Sequence, residues 1–184
     1  MSAAWSWTTR ANALTSLRIG IAPALCAAVW SGHAKWAGLL FALAVATDFA
    51  DGWVARRFRE ASPLGSLIDH GADALFVITG SAALAVRGEL PGWLPVAILF
   101  AFTQYVVDSR PGPGLRGSWL GRWNGIAYFV AIGIPVVRDA LGLAWPPAGW
   151  VRGVGWLLVA TTVLSVFDRL RHAGLPGPAP ASDR

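Results

Sequence analysis

The residues best suited to do chemistry in this 184-residue chain lie in one stretch, 48–73, which reads DFADGWVARRFREASPLGSLIDHGAD. Five of the ten acidic residues fall in it, four of them the aspartates Asp48, Asp51, Asp69 and Asp73, between strongly apolar flanks. Carboxylates at membrane depth are expensive and rarely face lipid, so they read first as a functional site. Asp48 and Asp51 are spaced i,i+3, and Asp69 and Asp73 i,i+4; on helices each pair projects to one side. Ala55 continues the first face and Gly65 begins the second, so small residues line the wall where two adjacent helices would meet. Four unpaired carboxylates converging there would repel one another strongly. Arg56 and Arg57 offset part of that repulsion, and one or two divalent cations would do so better. All-oxygen ligation favours a hard ion, Mg2+ or Mn2+, over zinc.

The elements that must position these groups read as membrane helices. The chain is 55% hydrophobic and 14% charged, with a mean hydropathy of +0.51. That composition suits a single membrane domain rather than a soluble one. Six apolar segments, approximately 14–32, 36–56, 65–86, 92–108, 120–138 and 150–168, have roughly the 17 to 25 residues a bilayer crossing needs. Ser31-Gly32, Pro63, Pro91-Gly92, 111–114 (PGPG) and Pro146-Pro147 punctuate them. Residues 1–13, with Trp5, Trp7 and Arg10, read as a short interfacial helix and not as a cleaved signal peptide. The expected architecture is therefore all-α: a polytopic membrane protein of six transmembrane helices in one domain, 1–172, with a disordered Pro/Gly-rich tail, 173–184.

Charge placement orients it. An N-terminus in the cytosol puts Arg10, Arg18, Arg56, Arg57, Arg59, Arg110, Arg116, Arg122, Arg169, Arg171 and Arg184 on that side, against Lys35, Arg87, Arg138 and Arg152 on the other. The bias predicts both termini and the acidic motif on the cytosolic face. The net charge of +5 is thus topological, and no basic patch for nucleic acid is present. The lone Cys26 excludes a disulfide framework, and His33, His70 and His172 do not form a zinc spacing. His70 is out of phase with Asp69 and Asp73 and reads as packing or solvation. Trp36, Trp53, Trp93, Trp119 and Trp150 sit near segment edges, as an aromatic belt requires.

With its spacing written out, Asp48-x2-Asp51-Gly52-x2-Ala55-Arg56-x8-Gly65-x3-Asp69-x3-Asp73, the stretch resembles the signature of the CDP-alcohol phosphotransferases, the CDP-alcohol phosphatidyltransferase family, without substitution. Eight fixed residues over 26 positions would arise by chance about once in 10^9 to 10^10 starting points. The resemblance implies a membrane enzyme of phospholipid synthesis in the bacterial cytoplasmic membrane, commonly a homodimer. It would transfer a phosphatidyl or related substituted phosphate from a CDP-alcohol, such as CDP-diacylglycerol, to a hydroxyl acceptor and release CMP. It implies that Asp48, Asp51, Asp69 and Asp73 hold Mg2+ or Mn2+, two ions in all, and that Asp73 is the general base. Gly52 and Gly65 would let the nucleotide approach, Arg56 would contact its phosphates, and Ser66 would hydrogen-bond it. The pattern Asn12-x2-Thr15-x2-Arg18 with Pro23 resembles the start of the family's first helix, which assigns Thr15 and Arg18 to the nucleotide pocket.

Arg110, Arg116 and Arg122 are candidates for gripping an acceptor phosphate, with topology anchors as the competing reading. Relatives that make phosphatidylglycerophosphate often carry lysines in that neighbourhood, and this chain has none there. The expected acceptor is glycerol 3-phosphate; an inositol phosphate, serine or another polyol are alternatives. The aspartates could instead form a structural ion-pair network with Arg56, Arg57 and Arg59. A metal-coupled transporter would need carboxylates at mid-bilayer in repeated halves, whereas these cluster at one end of one helix pair.

Overall fold

The structure is a computed structural model; it describes residues 10–58, 63–108 and 119–173, with the side chains of 15–50, 68–107 and 120–171. Among them are six α-helices and no strand: α1 Arg10–Trp30, α2 Ala34–Phe58, α3 Pro63–Val86, α4 Trp93–Asp108, α5 Trp119–Ala140 and α6 Ala148–Ala173. They fall where the six apolar segments were expected. Residues 10–13, expected in a separate interfacial helix, instead continue into α1; residues 1–9 and most of the expected tail lie outside the described residues.

Three short links stop the odd-numbered helices by the same device. Gly32, Gly88 and Gly142 take φ of 76°, 75° and 67°. Each is followed by a residue whose amide reaches back five positions, His33 to Ala28, Glu89 to Leu84 and Leu143 to Arg138, all at 2.9 Å. Glycine enters this left-handed region without a Cβ penalty, so the chain turns sharply and satisfies the last carbonyls. The links lie at one end of the bundle, and the carboxylates lie toward the other.

Packing departs from expectation at one place that matters for the site. α1 packs extensively against both α2 and α3, while α2 and α3 make no comparable contact with each other among the described residues. The two acidic helices are therefore not direct neighbours; α1 is the wedge between them. Below the carboxylates the core is dry: Ala22, Leu25, Phe76, Leu84 and Ile132 are fully buried. Phe76 stacks on Phe129 with ring centroids 5.3 Å apart and meets Phe41 at 6.1 Å, which ties α2, α3 and α5 together. α2 and α5 approach closely because two glycines allow it. A Cβ on Gly38 would come within 2.5 Å of the Ala140 Cβ, and one on Gly133 within 2.6 Å of the Phe41 ring.

At the end holding the short links, Arg138 is buried and held by Glu89 Oε1 at 2.8 Å, by its neighbour Asp139 at 2.7 Å and by the Pro146 carbonyl at 3.0 Å. This clamp joins the α3–α4 and α5–α6 links. Two helix segments, Leu120–Ala140 and Ala148–Arg171, are long and apolar enough to cross a membrane by length and composition, and Thr15–Trp30 and Trp93–Val107 are shorter apolar stretches.

Candidate functional site

Asp48 near the end of α2 and Asp69 and Asp73 near the start of α3 come together across α1. One carboxylate oxygen from each lies within 4.8 Å of the others. The i,i+4 spacing of Asp69 and Asp73 does what it promised, aiming both at one point. What holds the three groups there is Arg18 of α1, whose side chain is fully buried. Its Nη2 meets Asp48 Oδ1 at 2.9 Å, and its Nη1 meets Asp69 Oδ1 at 3.1 Å and Asp73 Oδ1. The resemblance assigned Arg18 to the nucleotide; in the structure its partners are the carboxylates. Thr15, one turn earlier on α1, is buried on the same face.

Three carboxylates less one guanidinium leave two negative charges, the complement of one divalent cation. The donor set is all oxygen and each carboxylate side chain is 32% to 45% exposed, so it fits a hard ion that keeps several waters. Asp51, Gly52 and Arg56 lie on α2, and Gly65 and Ser66 on α3, with side chains outside those described; Asp51 shares the Asp48 face by register. Arg110 and Arg116 lie outside the described residues altogether.

A cavity of about 590 Å³ opens beside the carboxylates. Asp48 and Asp73 form part of its wall, and α4, α5 and α6 close it with Tyr105, Arg122, Asn124, Tyr128, Thr162 and Arg169 among others. Arg122, the one acceptor candidate whose side chain is described, is therefore at the cavity. A second hollow of about 630 Å³ surrounds Trp30, Ser31, His33 and Trp36 at the far end of α1. It lies about 20 Å along the helix from Arg18 at 1.5 Å per residue and has no carboxylate in its wall. The chemistry belongs to the first.

Sequence reasoning passed over several residues of this wall. Arg169 was read as a topology charge, yet it lies over the Tyr105 ring with its Cζ 5.7 Å from the centroid, and Tyr105 in turn stacks on His70 at 5.7 Å. His70 thus packs, as expected, but at the cavity. On α6, Thr162, Ser165 and Arg169 share one face, and on α5 so do Asn124 and Tyr128. Polar residues at helical spacing inside otherwise apolar segments were the signal that could have found them.

The chain matches the family described as CDP-alcohol phosphatidyltransferase over residues 8–167. A CDP-diacylglycerol–glycerol-3-phosphate 3-phosphatidyltransferase of Cereibacter sphaeroides is 31% identical over 182 residues, which cover 90% of this chain and 80% of that protein. A putative cardiolipin synthase of Mycobacterium tuberculosis is 32% identical over 132 residues, covering 68% of this chain and 62% of that protein. A CMP-forming cardiolipin synthase of Streptomyces coelicolor is 30% identical over 149 residues, covering 74% and 69%.

Proposed function

Because the chain belongs to the CDP-alcohol phosphatidyltransferase family, we propose that it transfers the phosphatidyl group of CDP-diacylglycerol to glycerol 3-phosphate and releases CMP. The observation that carries this reading is the union of three carboxylates and one buried arginine with a cavity that two further arginines line. Asp48, Asp51, Asp69 and Asp73 would hold Mg2+ or Mn2+. A divalent cation bound there supplies positive charge against the diphosphate and the departing CMP.

The protein's own groups do the rest. Arg18 fixes the carboxylates at one point, so they are preorganised and not splayed by their mutual repulsion. Asp73 gives one oxygen to Arg18 and keeps the other for the proton of the acceptor hydroxyl, which then forms a bond to phosphorus as the bond to CMP breaks. Gly52, Arg56, Gly65, Ser66 and Thr15 serve the nucleotide half. Arg122 and Arg169, each a fork of donors suited to phosphate, serve the acceptor half; Arg110 and Arg116 belong with them.

The membrane setting follows the same reading. Leu39, Leu43, Val96, Leu99, Phe100, Val130, Leu157 and Leu164 are exposed along the helices, and Trp30, Trp36, Trp93, Trp145 and Trp150 are exposed around the short links. An apolar belt edged by tryptophan supports six spans; the arginine bias is what favours carboxylates toward the cytosolic side of a bacterial cytoplasmic membrane, and a homodimer is the assembly the family resemblance implies.

A second reading takes phosphatidylglycerol as acceptor. The relatives named cardiolipin synthase favour it, as do Ile98, Phe102 and Ile126, the apolar part of the cavity wall. Purified protein in vesicles holding CDP-diacylglycerol and Mg2+ is offered glycerol 3-phosphate, phosphatidylglycerol or inositol phosphate, and CMP and lipid product are measured. CMP release with glycerol 3-phosphate alone is the expected result. Release with neither glycerol acceptor would overturn the proposal.

A further inference from the structure

We propose that α4 is a lever: its end at the short links is fixed, and its end beside the carboxylates swings away from α6 to open the cavity sideways to the bilayer. That a diacyl lipid passes through the opening rests on the phosphatidyl-transfer reading; the lever itself does not.

The fixed end is braced by three arginines that cross-connect the links. Arg138 of α5 donates to Glu89 Oε1, just ahead of α4, at 2.8 Å and to the Pro146 carbonyl at 3.0 Å. Arg87 reaches Asp139 Oδ2 at 3.3 Å and the Val29 carbonyl, in the last turn of α1, at 3.4 Å. Arg152 of α6 donates through Nε to the Gly88 carbonyl at 2.9 Å. The two acids are largely shielded, with side chains 12% and 20% exposed, so these bonds act with little competition from water. α6 also comes very close here, since a Cβ on Gly155 would lie 2.4 Å from Pro91 Cδ.

Packing then fades along α4. Leu90, Leu94 and Ile98, one turn apart, are 2%, 1% and 3% exposed, whereas none of the described residues 99–107 is buried. Ile98, Ala101, Phe102 and Tyr105 form the face that walls the cavity, while Leu99, Phe100 and Val107 are exposed. Toward α6 this half offers Gln104, whose Nε2 donates to the Val166 carbonyl at a long 3.3 Å. Its Oε1 is buried with no hydrogen-bond partner among the described residues. Turning the amide over would only set that oxygen against the Val166 carbonyl. A buried acceptor left unmatched asks for a reason. Parting the seam supplies one, because the oxygen then meets water or headgroups and the cost of opening falls. α4 has 16 residues, so a tilt of about 15° about its fixed end moves the other end by about 6 Å.

Hydrogen exchange on the wild-type protein in nanodiscs tests the lever without any substitution. Amides of 102–107 should exchange about tenfold or more faster than those of 94–98, and faster than those of 162–166, the α6 residues at the same depth. Equal protection along α4 would overturn the lever. Spin labels in a Cys26→Ser background report the swing directly. Labels on Val107→Cys with Phe167→Cys should give a distance distribution about twice as wide as labels on Trp93→Cys with Trp150→Cys. Glu89→Gln with Arg152→Gln should widen the second pair toward the first, and equal widths before that change would also overturn the lever. Joining Gln104→Cys to Val166→Cys with a short thiol crosslinker should cut CMP release from CDP-diacylglycerol and Mg2+ by about tenfold or more. The unjoined double variant, and each single variant treated with the reagent, should keep the wild-type rate. Joined protein that turns over at that rate would overturn the opening as the lipid's path. If the unjoined protein releases no CMP with glycerol 3-phosphate or phosphatidylglycerol, the transferase reading fails, and exchange and label distances decide the lever by themselves.

Discussion

Replacing Arg18 with methionine tests whether one buried cation organises the acidic site. The guanidinium is fully buried and reaches Asp48 at 2.9 Å, Asp69 at 3.1 Å and Asp73. At about 4 Å between charge centres and an effective dielectric near 20, each such pair is worth about 4 kcal/mol before the cost of desolvation. Removing one partner of a buried ion pair typically costs about 3–5 kcal/mol. The carboxylates here are 32% to 45% exposed, so water takes over part of the role and the low end applies, about 3 kcal/mol. For a chain of this size that corresponds to a fall in Tm of about 6–12 °C, read by tryptophan fluorescence in detergent without divalent ions. The variant also leaves three negative charges where there were two. Mg2+ should therefore raise its Tm by more than it raises that of the wild type, because a cation that binds only the folded state stabilises it by RT ln(1 + c/Kd), with c the free Mg2+ concentration, which grows as the affinity rises. A loss below about 1 kcal/mol, or equal Mg2+ shifts in both proteins, would refute the idea that Arg18 and the cation share the same three carboxylates.

Asp73→Asn keeps the shape of the carboxylate but cannot take a proton. CMP release should fall by about 10^2 to 10^4 with a smaller fall in Tm than Arg18→Met, since two of the three carboxylates still face Arg18, and near-normal turnover would remove Asp73 as the base. Arg122→Ala and Arg169→Ala should each raise the KM for a phosphate-bearing acceptor about tenfold with kcat less affected; steady-state kinetics with the KM for CDP-diacylglycerol as control would show it, and unchanged acceptor KM leaves these arginines as topology anchors. Gly38→Val should lower Tm by forcing α2 away from α5, at a cost of about 1–3 kcal/mol, since even a Cβ there would sit 2.5 Å from that of Ala140. Gly20→Ala, with nothing within 4 Å of the added carbon, should leave Tm unchanged or slightly raised in the same scan.

The sequence by itself determined the helices and the chemistry of the acidic pair of turns. Apolar runs of bilayer length broken by Gly and Pro set six helices, and the fixed i,i+3 and i,i+4 spacings set which way Asp48, Asp69 and Asp73 point. These are local properties, decided within a few residues of chain. Only the tertiary structure decided what stands opposite those carboxylates. Arg18 is 51 and 55 residues from Asp69 and Asp73, and nothing in its own surroundings distinguishes a counter-ion from a nucleotide ligand. The insertion of α1 between α2 and α3 is likewise a matter of which faces pack, which periodicity leaves open because every face of such helices is apolar enough to be buried or to meet lipid. The far wall of the cavity has the same origin. Asn124 and Thr161 are 37 residues apart, and polar side chains in apolar helices acquire a meaning only when packing brings them into one seam.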